Sequence, residues 1–372
     1  MTTAPKRKVR YAVVGLGSIS QVAVLPAFRR ARSHCELSAL VSGDDKKLRL
    51  LGRKYGVPAL YPYARFAEML GSGTVEAVYV AVPNHLHRDY AVEASRAGVH
   101  VLCEKPMAVT ETECEEMIEA AATAGTRLMI AYRLHFDRAN LNAIERVRSG
   151  QLGEARIFHS VFSMQVKPGN IRLAPIEKGG GTLYDIGIYC INAARYLFRA
   201  EPIEAFAVSA NNGEERFRDC DEMTSAVLRF PGERLATFTS SFGAAAQATY
   251  EIVGTQGLLR VDNAYAYSQP ITQECVVEGR RRRQRFPKRD QFAAELVYFS
   301  SCIQKGRDPE PSGREGLADV RIIRALHESA RTGRPVRLAL SDERRRPTLA
   351  QEIHRPPAGE PEIIGARGPS ED

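Results

Sequence analysis

Short apolar runs separated by segments of helical periodicity characterise the first third of the chain. The runs occupy residues 9–14, 36–41, 75–82 and 127–131, and a further run ends at Cys103. Parallel strands that are buried on both faces have this continuous apolar character, and helices connect them. The alternation of strand and helix through about residue 134 therefore predicts an α/β fold with a doubly wound parallel sheet.

The pattern changes after this point. Extended segments at residues 156–166, 222–230, 234–242, 249–253 and 257–261 follow one another with short links that contain Pro and Gly. Consecutive strands with links of hairpin length predict an antiparallel sheet. Helical periodicity returns at residues 290–305 and 314–331, and we expect these two helices to close an α+β domain.

These patterns divide the chain into three parts. We expect a parallel-sheet domain at residues 1–134, an antiparallel-sheet domain at 135–340 and a polar, Pro-rich tail at 341–372 for which no secondary structure is predicted. Strands of the second domain carry apolar residues on both faces. A sheet face that helices do not cover needs a partner, so a homodimer or homotetramer built on this sheet is expected.

Composition narrows the class of protein. Apolar residues make up 44% of the 372 residues and charged residues 26%, which is ordinary for a globular protein. No apolar run approaches the roughly 18 residues that span a bilayer. The polar N-terminus lacks an apolar signal region, so we expect a cytoplasmic protein without membrane contact. Its seven scattered cysteines show neither a disulfide framework nor metal-ligand spacing, and no metal is expected.

The net charge of +8 lies largely in two arginine clusters, at residues 280–285 and 344–346. Basic clusters can bind nucleic acid. The first cluster, however, lacks interleaved aromatic residues, and the second opens the Pro-rich tail. Both are therefore predicted to be solvated surface, and no nucleic-acid partner is expected.

A glycine-containing turn directly follows the first apolar run. The sequence Gly15-Leu16-Gly17-Ser18-Ile19-Ser20 joins that strand to the next helix. In a dinucleotide-binding turn the first glycine permits a tight turn, and the second lets the backbone approach a pyrophosphate at the helix N-terminus. Ser20 stands at the third glycine position, where a small residue is compatible with close packing. A plain turn is the alternative, because this motif alone is weak evidence.

The end of the second apolar run indicates the form of the dinucleotide. An NAD-specific site usually has an acidic residue there, which binds the ribose 2′-hydroxyl. This chain has Ser42-Gly43-Asp44-Asp45-Lys46-Lys47 instead. A hydroxyl and two lysines suit the 2′-phosphate of NADP, which a carboxylate would repel. We therefore expect NADP, while Asp44 and Asp45 leave NAD open and a polar turn with solvated lysines is the structural alternative.

Another apolar run stops at charged residues, in Val101-Leu102-Cys103-Glu104-Lys105-Pro106-Met107. Pro106 disfavours helical backbone at the preceding residue, so Lys105 is presented at the end of a strand. Ligands bind at the carboxyl ends of strands in open α/β sheets. Lys105 is thus a candidate catalytic residue, and a solvated lysine in an ordinary connection is the alternative.

A buried helix with two polar residues on one face is predicted near residue 185. Glycines at positions 179–181 precede an apolar segment and permit a tight backbone approach. Asp185 and Tyr189 are four residues apart and share a face, while apolar residues cover the other sides. Buried polar groups need partners, so this pair forms either a structural hydrogen bond or part of a reactive site.

These motifs together resemble the glucose-fructose oxidoreductase/inositol dehydrogenase/rhizopine catabolism (Gfo/Idh/MocA) family, and most closely its glucose-fructose oxidoreductase branch. The resemblance extends from about residue 9 to residue 337. It rests on Gly15-Leu16-Gly17, Leu40-Val41-Ser42-Gly43, Cys103-Glu104-Lys105-Pro106-Met107-Ala108, Tyr132-Arg133 with His135, residues 179–189, and Ala330-Arg331-Thr332-Gly333-Arg334-Pro335-Val336. It implies an N-terminal Rossmann domain, a C-terminal domain whose open, mostly antiparallel sheet mediates oligomers, and hydride transfer on sugars or polyols.

The resemblance assigns catalytic and substrate-binding residues by position. Lys105 matches the catalytic lysine of the family, Asp185 its helix aspartate, and Tyr189 the tyrosine variant of the sugar oxidoreductases. We expect substrate contacts at Lys105, His135, Asp185 and Tyr189.

Cofactor-binding residues are assigned in the same way. Ser42 and Lys47 match residues that hold the 2′-phosphate of NADP, and Arg172 matches an arginine near the cofactor. Ile171 replaces a tryptophan of glucose-fructose oxidoreductase, so packing around the cofactor is expected to differ. The complete set expected at the cofactor is Gly15, Gly17, Ser18, Ile19, Ser42, Lys47, Pro83, Asn84, His87, Glu104, Lys105, Arg133 and Arg172.

The chemistry expected of these residues is oxidation of an aldose at C1 to a lactone. This reaction sends a hydride to the nicotinamide and needs a base for the anomeric hydroxyl proton. A tyrosine with a free pKa near 10 is a poor base at neutral pH. The ammonium of Lys105 is expected to favour the phenolate of Tyr189, and Asp185 to orient the sugar hydroxyl or the lysine.

Other functions remain open on these residues. A second sugar could re-oxidise the cofactor in place, or the protein could be a reductase of a keto-sugar or an NAD-dependent glycosidase of related fold. A catalytically silent, NADP-sensing regulator belongs to a different class, because a fold does not determine function. The intact set of Lys105, Asp185 and Tyr189 favours redox chemistry but does not indicate its direction.

Overall fold

The computed structural model describes residues 7–339, 346–359 and 361–371, which form two compact units. The first unit contains the described residues up to Arg133, together with Arg289–Leu317 and Ile353–Gly368. The second contains the described residues of Leu134–Lys288, Ala318–Glu352 and Pro369–Asp372. Residues 344 and 345 of the second arginine cluster lie outside the described residues, as does most of the N-terminal tail. The prediction of solvated surface is wrong for Arg346, which is buried and pairs with Glu201 over 2.7 Å.

The sheet of the first unit has six parallel strands. They are β1 (Val9–Val14), β2 (Cys35–Val41), β3 (Ala59–Tyr61), β4 (Ala77–Val80), β5 (His100–Cys103) and β6 (Leu128–Ile130). Their order is β3-β2-β1-β4-β5-β6, with every neighbouring pair parallel. The strand order reverses between β1 and β4, as in the Rossmann fold, which confirms the predicted doubly wound sheet.

Five helices connect these strands. They are α1 (Leu25–Ala31), α2 (Asp45–Tyr55), α3 (Phe66–Gly71), α4 (His87–Arg96) and α5 (Glu111–Ala124). A π-helical turn at Ser20–Val24 precedes α1, so Pro26 falls in the first turn of the α-helix. Because residues 18–31 form one continuous helical run, Pro26 interrupts the backbone hydrogen bonds of that run, and the wider π-helical turn lies directly before it.

The sheet of the second unit has nine strands. They are β7 (Ala155–Ser163), β8 (Glu204–Ala210), β9 (Met223–Phe230), β10 (Arg234–Ser241), β11 (Gln247–Gly254), β12 (Gly257–Asp262), β13 (Ile271–Val277), β14 (Arg280–Phe286) and β15 (Val336–Arg337). The order is β14-β13-β12-β11-β7-β10-β9-β8-β15. Only the pairing of β7 with β10 is parallel among these strands, so the predicted mostly antiparallel sheet is confirmed.

One face of this sheet is open. Along β9 the side chains alternate between buried and exposed or half-exposed positions, as in a sheet covered on one side. Helix α7 (Ile188–Phe198) packs on the inner face, and a further helix, α6 (Arg138–Arg148), packs on α7. On the outer face Leu235 and Ile157 are register partners and are 45% and 51% exposed. The apolar face that the sequence predicts is therefore present.

The two late helices are α8 (Gln291–Lys305) and α9 (Gly313–Thr332). Asp290 caps α8 by accepting a 2.8 Å hydrogen bond from the backbone N–H of Ala293. The prediction that α8 closes the second domain is wrong. This helix packs on α1, β1 and β2 of the first unit, where Ser300 lies 3.1 Å from the Tyr11 hydroxyl.

None of the helices in the described parts of the chain combines the length and apolar character needed to cross a membrane. Among the same residues there is no group of His, Cys, Asp and Glu side chains that could hold a metal ion. All seven cysteines are buried thiols.

Candidate active site

The glycine turn after β1 is shaped by two different requirements. Gly15 has a φ of 94°, and a Cβ atom there would clash with the backbone carbonyl of Ala81 at the end of β4. At Gly17 an added Cβ would meet nothing within 4 Å. The hydroxyl of buried Ser20 donates to the Gly15 carbonyl over 2.6 Å. Ser20 thus stabilises the turn. The space beside Gly17 is open at the point where the helix begins, at Ser18 and Ile19.

The loop after β2 holds its polar residues in distinct roles. The carboxylate of Asp44 caps α2 by accepting from the backbone N–H of Lys47 over 2.9 Å, and this hydrogen bond lowers the pKa of Asp44. The Ser42 side chain is buried and accepts from the backbone N–H of Asp44 over 3.3 Å. The side chain of Lys47 is 15% exposed, with its ammonium 4.0 Å from Asp44. Asp44 is therefore engaged at the helix terminus.

The loop after β5 carries Lys105, which is half-buried. The preceding Glu104 continues the strand pairing, since its backbone N–H donates to the Val80 carbonyl over 2.9 Å. Its carboxylate accepts a 2.7 Å hydrogen bond from the hydroxyl of buried Tyr79. Burial raises the pKa of Glu104, although the hydrogen bond from Tyr79 and the charge of Lys105 oppose this effect. The peptide bond between Lys105 and Pro106 is cis.

His87 joins the loops that follow β4 and β5. Its buried ring places Nδ1 2.8 Å from the carbonyl oxygen of Pro106 and Nε2 3.0 Å from that of Val82. Burial lowers the pKa of His87. Pro83 and Asn84 lie in the same post-β4 loop, at the carboxyl edge of the parallel sheet. The predicted cofactor residues Asn84, His87, Glu104 and Lys105 therefore lie in loops at one edge of the sheet of the first unit.

Arg133 lies in a buried polar cluster at the end of the first unit. Its guanidinium donates to the side-chain oxygen of Gln291 and lies 6.0 Å from the ring centre of Phe292. Within the described part of the chain, neither carboxylate oxygen of fully buried Glu295 has a hydrogen-bond partner. Burial raises the pKa of Glu295 well above its ordinary value, and the nearby Glu104 charge adds to this shift. Cofactor binding by Arg133 stays a prediction.

In the second unit, glycines bring the start of the buried helix onto the loop that carries Arg172. A Cβ atom at Gly180 would clash with the Ala174 backbone, and the Gly181 N–H donates to the Arg172 carbonyl over 2.9 Å. Gly181 has a φ of 93°, a conformation that favours glycine. The close approach that the sequence predicts for residues 179–181 is therefore made to this loop.

Arg172 forms an ion pair with the predicted catalytic aspartate. Its Nε donates to Oδ2 of Asp185 over 2.7 Å, and Asn170 accepts from both its backbone N–H and its guanidinium. The Asp185 carboxylate raises the pKa of Arg172, burial opposes it, and the phenols of Tyr267 and Tyr189 add to the increase. The arginine therefore stands within electrostatic range of both the aspartate and the tyrosine.

Asp185 and Tyr189 lie on the accessible side of an otherwise buried helix. From Gly181 to Asn192 they are the only half-exposed positions, and every other residue is buried. A π-helical turn at Leu183–Gly187 precedes α7, so the helix is wider at Asp185 than the regular spacing assumed from the sequence. The shared face predicted for the pair is present.

Aromatic rings surround Tyr189. The ring centres of Phe162 and Tyr265 lie 5.7 Å and 5.8 Å from that of Tyr189, and these two rings stack on each other at 5.0 Å. The Tyr265 hydroxyl lies 2.7 Å from the Ser160 hydroxyl. Sequence reasoning assigned no role to Phe162, Tyr265 or Tyr267, because they come from strand β7 and from the loop after β12, far from residue 189 along the chain.

His135 is enclosed in the second unit. Its Nδ1 lies 3.0 Å from the Tyr196 hydroxyl, and the Gln351 amide nitrogen lies 3.2 Å from its Nε2. Burial lowers the pKa of His135 to about 3, so the ring is neutral near pH 7. Substrate contact by His135 stays a prediction.

Comparison with known proteins identifies the family of the chain. Residues 9–132 match the profile of an oxidoreductase family with an NAD-binding Rossmann fold, and residues 141–260 match the Gfo/Idh/MocA C-terminal domain. The chain belongs to the Gfo/Idh/MocA family of oxidoreductases. The family resemblance stated from the sequence motifs is confirmed.

Two of the similar proteins are named for sugar substrates. An NADP⁺-dependent D-xylose 1-dehydrogenase of Haloarcula marismortui is 31% identical over 342 residues, which cover 90% of this chain and 95% of the relative. The crystal structure of an aldose-aldose oxidoreductase from Caulobacter crescentus, complexed with glycerol, superposes with a TM-score of 0.85. It is 38% identical, and the match covers 89% of this chain and 100% of that chain. A 3-ketoreductase of Actinomadura kijaniata in complex with NADP and TDP-benzene superposes with a TM-score of 0.79 at 26% identity, covering 87% of this chain and 98% of the other.

The residues of the first unit fit a dinucleotide. Open space at Gly17 lies at the start of a helix, where backbone N–H groups attract phosphate. Ser42 and Lys47 supply a hydroxyl and an ammonium after β2, and the nearest carboxylate there, that of Asp44, is engaged as a helix cap. The cofactor would bring hydride transfer, which no side chain of this chain can perform.

Proposed function

We propose that this protein is an NADP-dependent sugar oxidoreductase that transfers hydride between C1 of an aldose and the nicotinamide. The observation that carries the proposal is the cluster of Arg172, Asp185 and Tyr189 on the accessible side of a buried helix. A carboxylate, a guanidinium and a phenol at one place can bind sugar hydroxyl groups and accept a proton. The relatives named as a xylose dehydrogenase and an aldose-aldose oxidoreductase support this substrate class.

NADP is the proposed form of the cofactor. Lys47 and Ser42 offer a charged and a neutral donor for a 2′-phosphate, which suits NADP better than NAD. The Asp44 carboxylate caps α2, so the helix terminus sets its orientation. The relative from Haloarcula and the ketoreductase structure are both named with NADP. Gly15, Gly17, Ser18, Ile19, Pro83, Asn84, His87, Glu104, Lys105, Arg133 and Arg172 complete the proposed cofactor set.

Proton transfer is assigned to Tyr189. As the C1–H bond of the sugar breaks, its electron pair leaves as hydride, and the proton of the C1 hydroxyl passes to the phenolate oxygen of Tyr189. The sugar becomes a lactone. A phenol acts as a base near neutral pH only where cations stabilise its anion. Arg172 is a cation near Tyr189 within the second unit, and Lys105 is the cation that the family resemblance adds to the proposal.

Asp185 has an orienting role in this proposal. The hydrogen bond from Arg172 to Oδ2 fixes the Asp185 carboxylate, which is proposed to orient a sugar hydroxyl or the lysine. A carboxylate fixed in this way holds a substrate hydroxyl in one position, which promotes reaction by orientation. His135 remains a proposed substrate contact on the resemblance alone.

The proposal is tested with the purified protein and a panel of sugars. NADP⁺ is added, and the absorbance of reduced nicotinamide is followed with aldopentoses, aldohexoses and ketoses, while lactone is identified by mass spectrometry. Reduction of NADP⁺ by an aldose with stoichiometric lactone is the expected result. Tight NADP binding with no reduction by any sugar would instead identify a non-catalytic, NADP-sensing protein.

The direction of hydride transfer is tested in the same preparation. Protein loaded with NADPH is mixed with keto-sugars and lactones. By microscopic reversibility the same residues can return a proton to a carbonyl oxygen. The similarity to a 3-ketoreductase makes reduction a second candidate function. Re-oxidation by a second sugar predicts that one bound NADP supports many turnovers without exchange with free NADP. Release of free sugar from a glycoside without net redox would identify an NAD-dependent glycosidase.

We propose in addition that the open sheet face pairs with a second copy of the chain. Its exposed residues include Ile157, Val208, Val227 and Leu235, which together form an apolar patch on strands β7 to β10. Patches of this kind mark interfaces, and a self-complementary interface gives a dimer, which can pair again to a tetramer.

A cytoplasmic location is also proposed, and it agrees with the buried cysteine thiols.

A further inference from the structure

The C-terminal segment Ile353–Gly368 belongs to the first unit, although it lies more than 200 residues beyond the last strand of that sheet. Its described residues form no helix or strand. The segment is nevertheless held at several points by side chains of the first unit. Arg30 donates to the Pro357 carbonyl over 3.2 Å, and Lys54 donates to the Glu362 carbonyl over 2.8 Å.

Gln21 makes the most specific of these contacts. Its side chain is 1% exposed and follows the glycine turn directly. The amide nitrogen donates to the Leu16 carbonyl over 3.0 Å and to the Ile364 carbonyl over 2.8 Å. The amide oxygen accepts from the Ile364 backbone N–H over 2.7 Å. One buried amide therefore ties the dinucleotide turn and the C-terminal segment together, and both of its polar atoms are satisfied.

The next residue of the segment reaches the proposed 2′-phosphate site. A Cβ atom at Gly365 would lie 3.5 Å from Cε of Lys47, so the backbone passes beside the lysine side chain without displacing it. Gly365 has a φ of 55°, which favours glycine. The segment thus contacts α2 at Lys47 and the glycine turn through Gln21, which are the two sides of an adenosine-binding site in this fold.

We propose that the described residues of this segment, 353–359 and 361–368, form part of the NADP site and retain the bound cofactor by covering its 2′-phosphoadenosine end. This inference rests on the proposed cofactor. The physical basis is that a segment hydrogen-bonded to the turn must be displaced before the adenosine end can leave. Release is then coupled to rupture of the contacts at Gln21, Lys54 and Arg30. A chain held in this way keeps NADP through successive turnovers, as a two-sugar reaction requires.

The primary test uses the complete chain with Ile364→Pro. Proline removes the N–H that Gln21 accepts, while the rest of the segment stays in place. Glu362→Ala is the matched control, because it removes an exposed side chain from the same segment and keeps the carbonyl that Lys54 binds. Release of NADPH is measured by stopped-flow fluorescence after displacement with excess NADP⁺, and nucleotide that co-purifies with each protein is quantified.

We expect Ile364→Pro to accelerate NADPH release by on the order of tenfold and to lower the co-purified fraction, with the control unchanged. NADH has the same adenosine, which the segment also covers, so its release should be accelerated in the same direction. Faster release without a lower free energy of unfolding of the nucleotide-free variant, measured in urea, separates cofactor retention from simple stabilisation of the fold.

Three results would overturn the inference. Equal NADPH release from the unaltered chain, Ile364→Pro and the control would show that the segment only packs on the first unit. Slower NADPH release from Ile364→Pro than from the unaltered chain would show that the segment competes with the cofactor. If the unaltered chain does not bind NADPH, the proposed function is wrong as well. Measuring NADPH binding to the unaltered chain is enough to distinguish this result from the other two.

Discussion

Arg172 and Asp185 form a 2.7 Å hydrogen-bonded ion pair at the entrance of the helix that carries Tyr189. Both side chains are partly buried, at 26% and 21% exposure, so water screens the pair less than it would at the surface. Asn170 accepts from the same guanidinium and holds it from the other side. The ion pair therefore presents the Asp185 carboxylate in a defined orientation.

The first prediction concerns Arg172. Arg172→Met should lower kcat by about tenfold to a hundredfold, because Asp185 loses the group that orients it and Tyr189 loses a nearby cation. Arg172→Lys should retain part of the activity, since lysine restores the charge but not the planar geometry. Steady-state kinetics with the best aldose measures both. Arg260→Met, which removes an exposed arginine paired with Asp262, is the matched control and should leave kcat unaltered.

The second prediction concerns Tyr189. Tyr189→Phe should cut turnover by about two orders of magnitude or more, because the proton acceptor is lost, while NADP binding stays nearly intact. Tyr265→Phe is the control, since it removes the hydroxyl of a neighbouring ring that bonds to Ser160. Kinetics and nucleotide titration are compared for both variants. Undiminished turnover in Tyr189→Phe would remove this residue from the mechanism.

Most of the architecture could be predicted from the sequence, because the hydrophobic pattern of each segment agrees with its burial in the fold. Strands of the first sheet are buried on both faces, so they appear as unbroken apolar runs, and β1 is an example. Strand β14 was harder to recognise because its arginines are exposed at a sheet edge, where charged residues oppose further pairing. The position of α8 was not accessible, because helical periodicity shows that a face is buried but not which sheet buries it.

The candidate site was accessible where its residues are close in sequence. Asp185 and Tyr189 were found from spacing on one helix. Arg172 entered only through the family resemblance, and nothing in the sequence indicates that it pairs with Asp185 rather than with a phosphate. Gln21 was missed because its partner, Ile364, is 343 residues away in a segment without periodicity. Contacts between irregular segments leave no pattern that composition or spacing can reveal.

The third prediction concerns cofactor selectivity. Lys47→Ala should weaken NADP⁺ binding by about tenfold to a hundredfold, which corresponds to losing one charge-assisted hydrogen bond. NAD⁺ binding should remain within about twofold of the unaltered protein. The cap of α2 is preserved, because Asp44 accepts from the backbone of Lys47. Isothermal titration with both nucleotides tests this, with Arg49→Ala at an exposed position of the same helix as control. Equal losses for the two nucleotides would place Lys47 elsewhere than at the 2′-phosphate.

The fourth prediction concerns the open sheet. Leu235→Lys places a charge between Ile157 and Arg229 on the open face, and should shift the protein toward the monomer because burying a charge beside a like charge is unfavourable. Sedimentation velocity measures the change. Ile171→Lys adds the same charge at another exposed apolar residue outside the sheet and should leave the oligomer intact. An unaltered oligomer in Leu235→Lys would exclude this face as the interface.

The fifth prediction concerns stability in acid and follows from His135. Its folded-state pKa is lowered to about 3, whereas an unfolded histidine titrates near 6.5. Above about pH 6.5 neither state binds the proton, and the free energy of unfolding is unaffected by this group. Between about pH 6.5 and pH 3 only the unfolded chain binds it, so stability falls as the pH falls. The limiting contribution of one such group is about 1.4 kcal/mol per pH unit.

The geometry around His135 explains why its protonation is opposed. The Gln351 amide donates to Nε2, so Nδ1 carries the proton of the neutral ring, and a second proton would meet the amide N–H group. His135→Gln should therefore flatten the decline of the unfolding free energy between pH 6.5 and pH 4, even if it lowers stability at pH 7. Urea unfolding at a series of pH values measures the slope. His159→Gln, at an exposed histidine, should leave the slope unchanged, and an equal slope in both variants would assign the acid sensitivity to other groups.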